Sequence, residues 1–401
     1  MGFIFFEEMN PEKIGIGKKM DLLLGIGWQI SELHGWGVFG INVVRSLLKR
    51  GGPPFRLLDQ PVLDEVASKE LFQYVQDWNY LNRRLAKESP SQPMFLQDTV
   101  IIYGFGSDFT EPGSHARFQG LHNVGFIFFE EMNPEKIGIG KKMDHLLAGS
   151  SWNTQVLKKL GFPKVSFVMQ GVDTERFQPR SKQKRFGDRF VIFSGGKLEF
   201  RKAQDIVLVA FREFHKRHPE ALLVTAWHNP WPAMSVAGVL RSPHMLGAPK
   251  INSAGQFDIS EWLLRNGLPR DSFLDTGFIN NREFPEWYRE VDVAVFPNRA
   301  EGGTNLVAME IMASGVPCIL SANTGHLDLT DESRTYPLFN QKPLSQDWGE
   351  SDPKEVVDRL EEVYQNRQEA RVRGMEGARF IQQASWEAQT EKLLEAIFTG
   401  L

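Results

Sequence analysis

The chain has 401 residues, 24% of them charged, and 46 Lys and Arg against 50 Asp and Glu give a net charge of −4. That length exceeds what one hydrophobic core ordinarily supports, so two domains are expected, and the slight acidity without a Lys/Arg run argues against a nucleic-acid partner. No apolar run reaches bilayer-spanning length, and a single cysteine, Cys318, excludes a disulfide within the chain.

In chain order, the first feature is a duplication. "GFIFFEEMNPEKIGIGKKMD" occurs at 2–21 and again, letter for letter, at 125–144. An exact pair is a copied segment rather than a repeat architecture, which needs three or more units of short period. "FIFF" is too short for the apolar core of a secretory leader, and two glutamates follow it. Residues 1–20 are therefore expected to lie outside both sheets, with Met20 as an original start. The second copy is expected to supply a strand, "FIFFEE" (126–131), and a helix before "HLLAGSSWN".

From Leu22 strand-like runs alternate with amphipathic ones: "LLLGIGWQI", helical "VFGINVVRSLLKRG", "FRLLDQ", a helical 62–88, "TVIIYGF", "HLLAGS", helical "SWNTQVLKKLG" and "KVSFVMQGV". Residues 174–188 are polar and without apolar period, which reads as a linker. A second series follows: "RFVIFSGG", helical "AQDIVLVAFREFHKRH", "ALLVTAW", "SFLDTGFI", "DVAVFPN", helical "NLVAMEIMASG", "PCILSA" and a helical tail. Alternation of this kind predicts an α/β protein of two doubly wound parallel-sheet domains facing across a cleft. The expected boundaries are 21–180 for the first domain, 181–375 for the second, and 376–401 for a closing helix that packs back towards the first.

Ligands of such folds sit at the carboxyl ends of the strands. There "GWGVFG" (35–40) fits G-x-G-x-x-G after a strand, with Asp59 about twenty residues on. Gly35 and Gly37 would let a backbone approach a diphosphate at a helix start; a tight turn without a ligand is the plain alternative. His34, Trp28 and Trp36 flank this loop, and core packing is the expected role of Trp28.

The second half is more specific. "SGGKLEFRKAQD" ends a strand in Gly-Gly and delivers Lys197, Arg201 and Lys202 ahead of a helix, cations able to neutralise a pyrophosphate. A solvated basic helix start is the alternative. In "NRAEGGTNLVAMEIMASGVP", Glu301 precedes a Gly-rich loop, 304–306 begin a helix, and Glu310 lies within it. Helix amides favour an anion and a carboxylate accepts vicinal hydroxyls; an ordinary acidic helix start is the alternative.

Taken in order, "GWG", "GVDTERFQP", "GGKLEFRKAQD" and "EGGTNLVAMEIMASGVP" resemble the signature motifs of glycosyltransferase family 4. The resemblance runs from about Met20 to the end and implies the GT-B fold. Three departures stand out: eight residues rather than seven separate Glu301 from Glu310, Lys197 replaces an Arg, and Ala203 replaces a Gly.

The resemblance implies a nucleotide-sugar donor, retention of anomeric configuration and no cofactor. Lys197, Arg201 and Lys202 would meet the diphosphate, and Glu310 the ribose. Glu301 and the backbone of Gly302, Gly303, Thr304, Asn305 and Leu306 would face the sugar, with the base near Phe278 and Ile279. Glu130, at the end of the strand in the second copy, is a further candidate at the donor sugar. No Asp-x-Asp occurs, so a metal is not needed. The acceptor is a glycan, a lipid or a small molecule. The expected location is the cytoplasm, with the inner face of the membrane left open. Two other readings remain: a nicotinamide-dependent oxidoreductase built on 35–40, and a catalytically silent nucleotide-sugar binder.

Overall fold

The computed structural model describes residues 22–400 except 33–34, 88–91, 107–108, 110–116, 133–134, 136 and 345–346. The first copy of the duplication and His34 lie outside the described residues.

The first domain comprises β1 (Leu23–Gly27), α1 (Gly35–Arg50), β2 (Phe55–Leu57), α2 (Glu65–Glu70), α3 (Phe72–Leu85), β3 (Met94–Phe105), β4 (Phe118–Ile127), β5 (His145–Ala148), α4 (Ser151–Lys159) and β6 (Val165–Phe167). Its six strands are parallel in the order β2-β1-β3-β4-β5-β6. Apolar runs such as "VIIYGF" are buried on both faces of the sheet, which is why they read as continuous rather than alternating. Ser150 caps α4 by accepting from the Asn153 amide at 3.1 Å, and Asp64 caps α2 by accepting from that of Ala67 at 2.7 Å.

The second domain holds β7 (Phe190–Gly195), α5 (Gln204–His215), β8 (Ala221–Ala226), α6 (Pro232–Val239), α7 (Ile259–Arg265), β9 (Phe273–Asp275), α8 (Phe284–Tyr288), β10 (Val293–Phe296), α9 (Leu306–Ala313), β11 (Cys318–Ser321) and β12 (Tyr336–Leu338). Its strand order is β12-β11-β10-β7-β8-β9. A small antiparallel arm, β13 (Gln341–Pro343) with β14 (Gly349–Ser351), precedes α10 (Pro353–Gln365), α11 (Arg367–Gln382) and α12 (Trp386–Gly400). The chain crosses back between α11 and α12, where the Val172 amide donates to the Ala384 carbonyl at 2.9 Å. Trp386, Leu393, Ile397 and Phe398 of α12 then join the core beneath α1.

Three expectations are corrected. The strand of the second copy begins upstream, at Phe118, and stops at Ile127, so Phe128 to Glu131 form a loop rather than its last residues. Gly120 and Asn123 disguise that beginning: the Gly120 amide donates to the Asn123 side chain, a local bond within the strand that makes its sequence look like a turn. Where a helix was expected after that strand, the described residues have 3-10 geometry at Glu135 and at Gly140–Lys142 and no α-helix, with Gly140 pressed on the Phe109 ring. Finally, the closing helix starts at Trp386, and residue 376 lies inside α11.

Candidate active site

In the second sheet, β7 lies between β10 on one side and β8 on the other, so the direction of winding switches between β7 and β10. A crevice forms at such a point outside the carboxyl ends of the strands. The two loops that border it carry the predicted cations and Glu301.

The loop after β7 turns at Gly196, φ 110°, and places the Lys197 ammonium 3.1 Å from Glu199 and 5.4 Å from the centre of the Trp231 ring. A 3-10 turn, Phe200–Lys202, follows, and Ala203 leaves it at φ 55° before α5 starts. This left-handed position is where the family pattern has Gly, which is the backbone reason for that glycine.

Arg201 and Lys202 project into a buried ionic cluster. Arg201 lies 2.8 Å from Glu199, 3.2 Å from Glu301 and 3.3 Å from Glu130 of the first domain. Lys202 pairs with the other oxygen of Glu301, to which the Asn298 amide also donates. Burial alone would raise the Glu301 carboxyl, but Lys202 and Arg201 outweigh it and hold its pKa at about 2. Burial lowers the pKa of Lys202 from the ordinary lysine value. For Arg201 burial is outweighed by its three carboxylate neighbours, and its pKa rises.

A fully buried arginine fixes the two loops against each other. Arg299 donates to Asp205 at 2.9 and 2.7 Å, to Glu350 at 2.8 Å and to the Phe200 carbonyl at 2.7 Å. Its own backbone amide donates to the Arg201 carbonyl at 2.7 Å. The backbone of the cationic turn is thus tied to the residue two before Glu301. Sequence reading missed Arg299, because nothing local marks an arginine as buried.

The Gly-rich loop after Glu301 is the floor of the domain contact. A Cβ on Gly302 would lie 2.6 Å from the Phe129 carbonyl oxygen, and the Ser150 hydroxyl donates to the Gly302 carbonyl at 2.8 Å. A Cβ on Gly303 would meet Phe128 at 2.9 Å. Thr304 is buried with its hydroxyl 2.9 Å from the Met309 sulfur. Asn305, at φ 64°, does not cap α9 with its side chain; its amide is instead 3.1 Å from Nε2 of His326. Burial brings the His326 pKa down to about 4, so the ring is neutral. Leu306 packs against the core of the first domain.

Glu310, one turn into α9, is buried and accepts from the Asn281 amide at 2.8 Å. Burial lifts its pKa to about 7. Asn281 is in turn held by Arg176 at 3.0 Å. Phe278 and Ile279 lie on the same loop as Asn281, after β9, with Phe278 half exposed.

In the first domain, Glu130 reaches Arg201 while its carbonyl accepts from the Trp348 indole at 2.7 Å. Glu131 is exposed. The glycines of 35–40 differ from expectation: α1 starts at Gly35, so they lie in its first turns rather than in a loop before it. A Cβ on Gly37 would fall 2.0 Å from the Ser31 hydroxyl and one on Gly40 2.5 Å from the Trp28 indole nitrogen, whereas Gly35 has open space. Trp28 is buried in the core. The structure therefore gathers Glu130, Arg201, Lys202 and Glu301 directly, Lys197 through Glu199, and 302–306 around them. Glu310 is joined through Asn281 to the loop that carries Phe278 and Ile279, whereas Gly37 packs on Ser31 and Gly35 is exposed.

Residues 188–366 match the family model described as Glycosyl transferases group 1. The lipopolysaccharide core biosynthesis mannosyltransferase LpsB of Rhizobium meliloti is 29% identical over 186 residues, 45% of each chain. The D-inositol 3-phosphate glycosyltransferase 2 of Catenulispora acidiphila is 30% identical over 173 residues, 41% of this chain and 36% of that protein. Less than half the length of either curated relative is matched. Among solved structures, a sucrose-phosphate synthase from Thermosynechococcus elongatus superposes with a TM-score of 0.64 at 14% identity, covering 95% of this chain and 100% of that one. Anabaena HepE in complex with UDP-glucose gives 0.63 at 13% identity, covering 94% and 99%. The architecture is GT-B, two Rossmann-like domains facing each other, and no helix among the described residues is long and apolar enough to cross a membrane.

Proposed function

We propose that the chain is a glycosyltransferase that moves a sugar from a nucleotide-activated donor to an acceptor hydroxyl with retention of configuration. One observation carries the reading. At the switch point of the second sheet, inside the stretch that the family model matches, Arg201 and Lys202 share Glu301 under a glycine loop closed by the first domain.

The chemistry follows from charge. The bond from the anomeric carbon to the donor phosphate oxygen breaks, and one to the acceptor oxygen forms on the same face. The acceptor proton passes to the departing phosphate oxygen. Negative charge that grows on the diphosphate is met by cations already fixed in a dry site, which is preorganised electrostatic stabilisation and needs no metal. An incoming diphosphate competes with Glu130 and Glu199 for Arg201. Glu310, whose pKa burial lifts to about 7, is our candidate for the ribose hydroxyls. Glu130 reaches Arg201 from the first domain and is our candidate at the donor sugar. UDP is the first nucleotide to try, since the HepE structures contain UDP and UDP-glucose.

The test is a thermal shift with UDP, GDP, ADP and NAD, followed by release of free nucleotide from the matching sugar nucleotide. A ligand that binds only the folded state raises the melting temperature. The expected result is a rise with one nucleoside diphosphate, none with NAD, and turnover. A rise with NAD alone would return the 35–40 glycines to a dinucleotide role, and binding without turnover would leave a silent binder.

A further inference from the structure

The arm β13–β14 has two attachments that the donor reading leaves unused. On one side it is fixed to the loop before Glu301: the Gly349 amide donates to the Arg299 carbonyl at 3.0 Å, and Glu350 accepts from the Arg299 guanidinium at 2.8 Å. The Asn323 side chain ties both strands of the arm, donating to the Gly349 carbonyl at 3.3 Å and to the Gln341 side chain at 2.9 Å. Trp348 stands one residue before this anchor. On the other side its indole N–H crosses to the first domain and donates to the Glu130 carbonyl at 2.7 Å. Its ring lies 6.5 Å from that of Phe200, inclined by 29°, and Phe200 is the residue before Arg201.

Glu130 lies three residues past the end of β4, in a loop. Asn153 holds the Phe129 backbone, its Oδ1 accepting from the amide at 3.3 Å and its Nδ2 donating to the carbonyl at 2.9 Å. Trp348 holds the next carbonyl. The backbone of residue 130 is thereby fixed on both sides, which confines the carboxylate to the reach of its own side chain. Arg201 holds that carboxylate at its far end, 3.3 Å away. This second hold is lost when a diphosphate takes Arg201. The Trp348 bond is made to the backbone, so the same exchange leaves it in place.

We propose that Trp348 is a positioning residue, which keeps Glu130 at the donor sugar once the diphosphate has drawn Arg201 away. The assignment rests on the nucleotide-sugar reading above and on Glu130 as the candidate at the sugar. Its consequence is a split of roles: Arg201 and Lys202 bind the donor, and Trp348 acts on the chemical step alone.

The experiment measures release of free nucleotide by the full chain from UDP-, GDP- or ADP-glucose, chosen by the diphosphate that raises the melting temperature. The variants are Trp348→Phe, Trp348→His, Glu130→Gln, and Trp348→Phe combined with Glu130→Gln. The first keeps a ring against Phe200 but has no N–H; the second sets an imidazole Nε2–H at the ring position of the indole N–H. Trp348→Phe should lower kcat about fivefold, the worth of one neutral hydrogen bond, with donor KM and nucleoside diphosphate affinity unchanged. Trp348→His should restore most of kcat. The double variant should be no slower than Glu130→Gln alone, because the two residues act as a unit. An unchanged kcat in Trp348→Phe, a rise in donor KM in its place, no recovery in Trp348→His, or losses that add in the double variant would each overturn the proposal. Glu130→Gln at wild-type speed would do the same. A wild type that binds a nucleoside diphosphate but releases none from its sugar nucleotide has no chemical step for Trp348 to serve, and overturns the assignment while the donor site stands. A wild type that binds no nucleoside diphosphate overturns the donor reading, and this assignment with it.

Discussion

Two glycine-rich segments, one in each domain, approach the Phe128 ring, and they use glycine for different purposes. In 35–40 the glycines let α1 lie tight on the loop after β1: Gly37 on Ser31 and Gly40 on the Trp28 indole. Around them stand aromatic rings, with Trp36 4.7 Å from Phe128 and Phe39 stacked 5.6 Å from Trp28. In 301–303 the glycines let one domain's backbone reach the other's, and the residue before them lies among Arg201, Lys202 and Asn298. The letter pattern of the first segment is the better fingerprint; the charges around the second make it the better candidate site. Glycine spacing shows where backbone approaches something closely, and the neighbours decide what that something is.

The strongest way to break this contrast is to remove a charge. Lys202→Met leaves Glu301 buried with only part of its compensation. It should cost about 3–5 kcal/mol in urea denaturation, as breaking buried ion pairs does, and lower transfer by at least about 10²-fold. Near-normal transfer in the folded variant would show that the cluster is structural and that the site lies elsewhere.

A second charge test separates Glu310 from Glu301 by pH. The Glu310 pKa is raised to about 7, so between pH 4.5 and 7 the unfolded chain loses this proton while the folded chain keeps it. Stability should therefore fall as pH rises through that window, by about 3 kcal/mol, and level off above it. Glu301, held at about 2, acts oppositely: its contribution is present above pH 4.5 and is lost as pH falls towards 2. Urea denaturation at pH 5 and pH 8 should show a smaller difference in Glu310→Gln than in the wild type. An identical difference would place the titration in another group.

Substitutions without charge sharpen the other half of the comparison. Gly37→Ala forces a Cβ into the Ser31 hydroxyl and should cost about 1–3 kcal/mol, as overpacking does, with nucleoside diphosphate affinity unchanged. A selective loss of affinity at full stability would reinstate this segment as a phosphate loop. At the opposite site, Ala203→Gly relieves a left-handed residue and should stabilise by up to about 1 kcal/mol, read as a rise in melting temperature.

Much of the architecture is legible in the sequence because parallel strands buried on both faces leave continuous apolar runs. "VIIYGF", "FVIFSG" and "VAVF" are each strand interior. Glu301 and Lys202 are legible for another reason: they fall next to strand ends, where side chains must enter the crevice. What escapes is what depends on partners far along the chain. Arg299 looks like any loop arginine until Asp205 and Glu350 enclose it. The arm β13–β14 is three residues a side, below any periodic signal, yet it brings Trp348 to Glu130.

The smallest expected effect concerns the duplication itself. In the second copy Phe126 and Ile127 are strand residues of β4, paired with β3 on one side and β5 on the other, and Phe129 is fully buried beside Gly302. Each of these places admits one segment. An identical stretch at 2–21 would compete for that slot with a copy that the chain already joins to β3 on one side and β5 on the other. Deleting 2–19 should therefore leave donor binding, transfer and melting temperature unchanged, and should reduce aggregation if the spare "FIFF" pairs with exposed strand edges between molecules. A large loss of activity on deletion would show that the first copy has work of its own, and the contrast between the two glycine segments would then have to include a third surface.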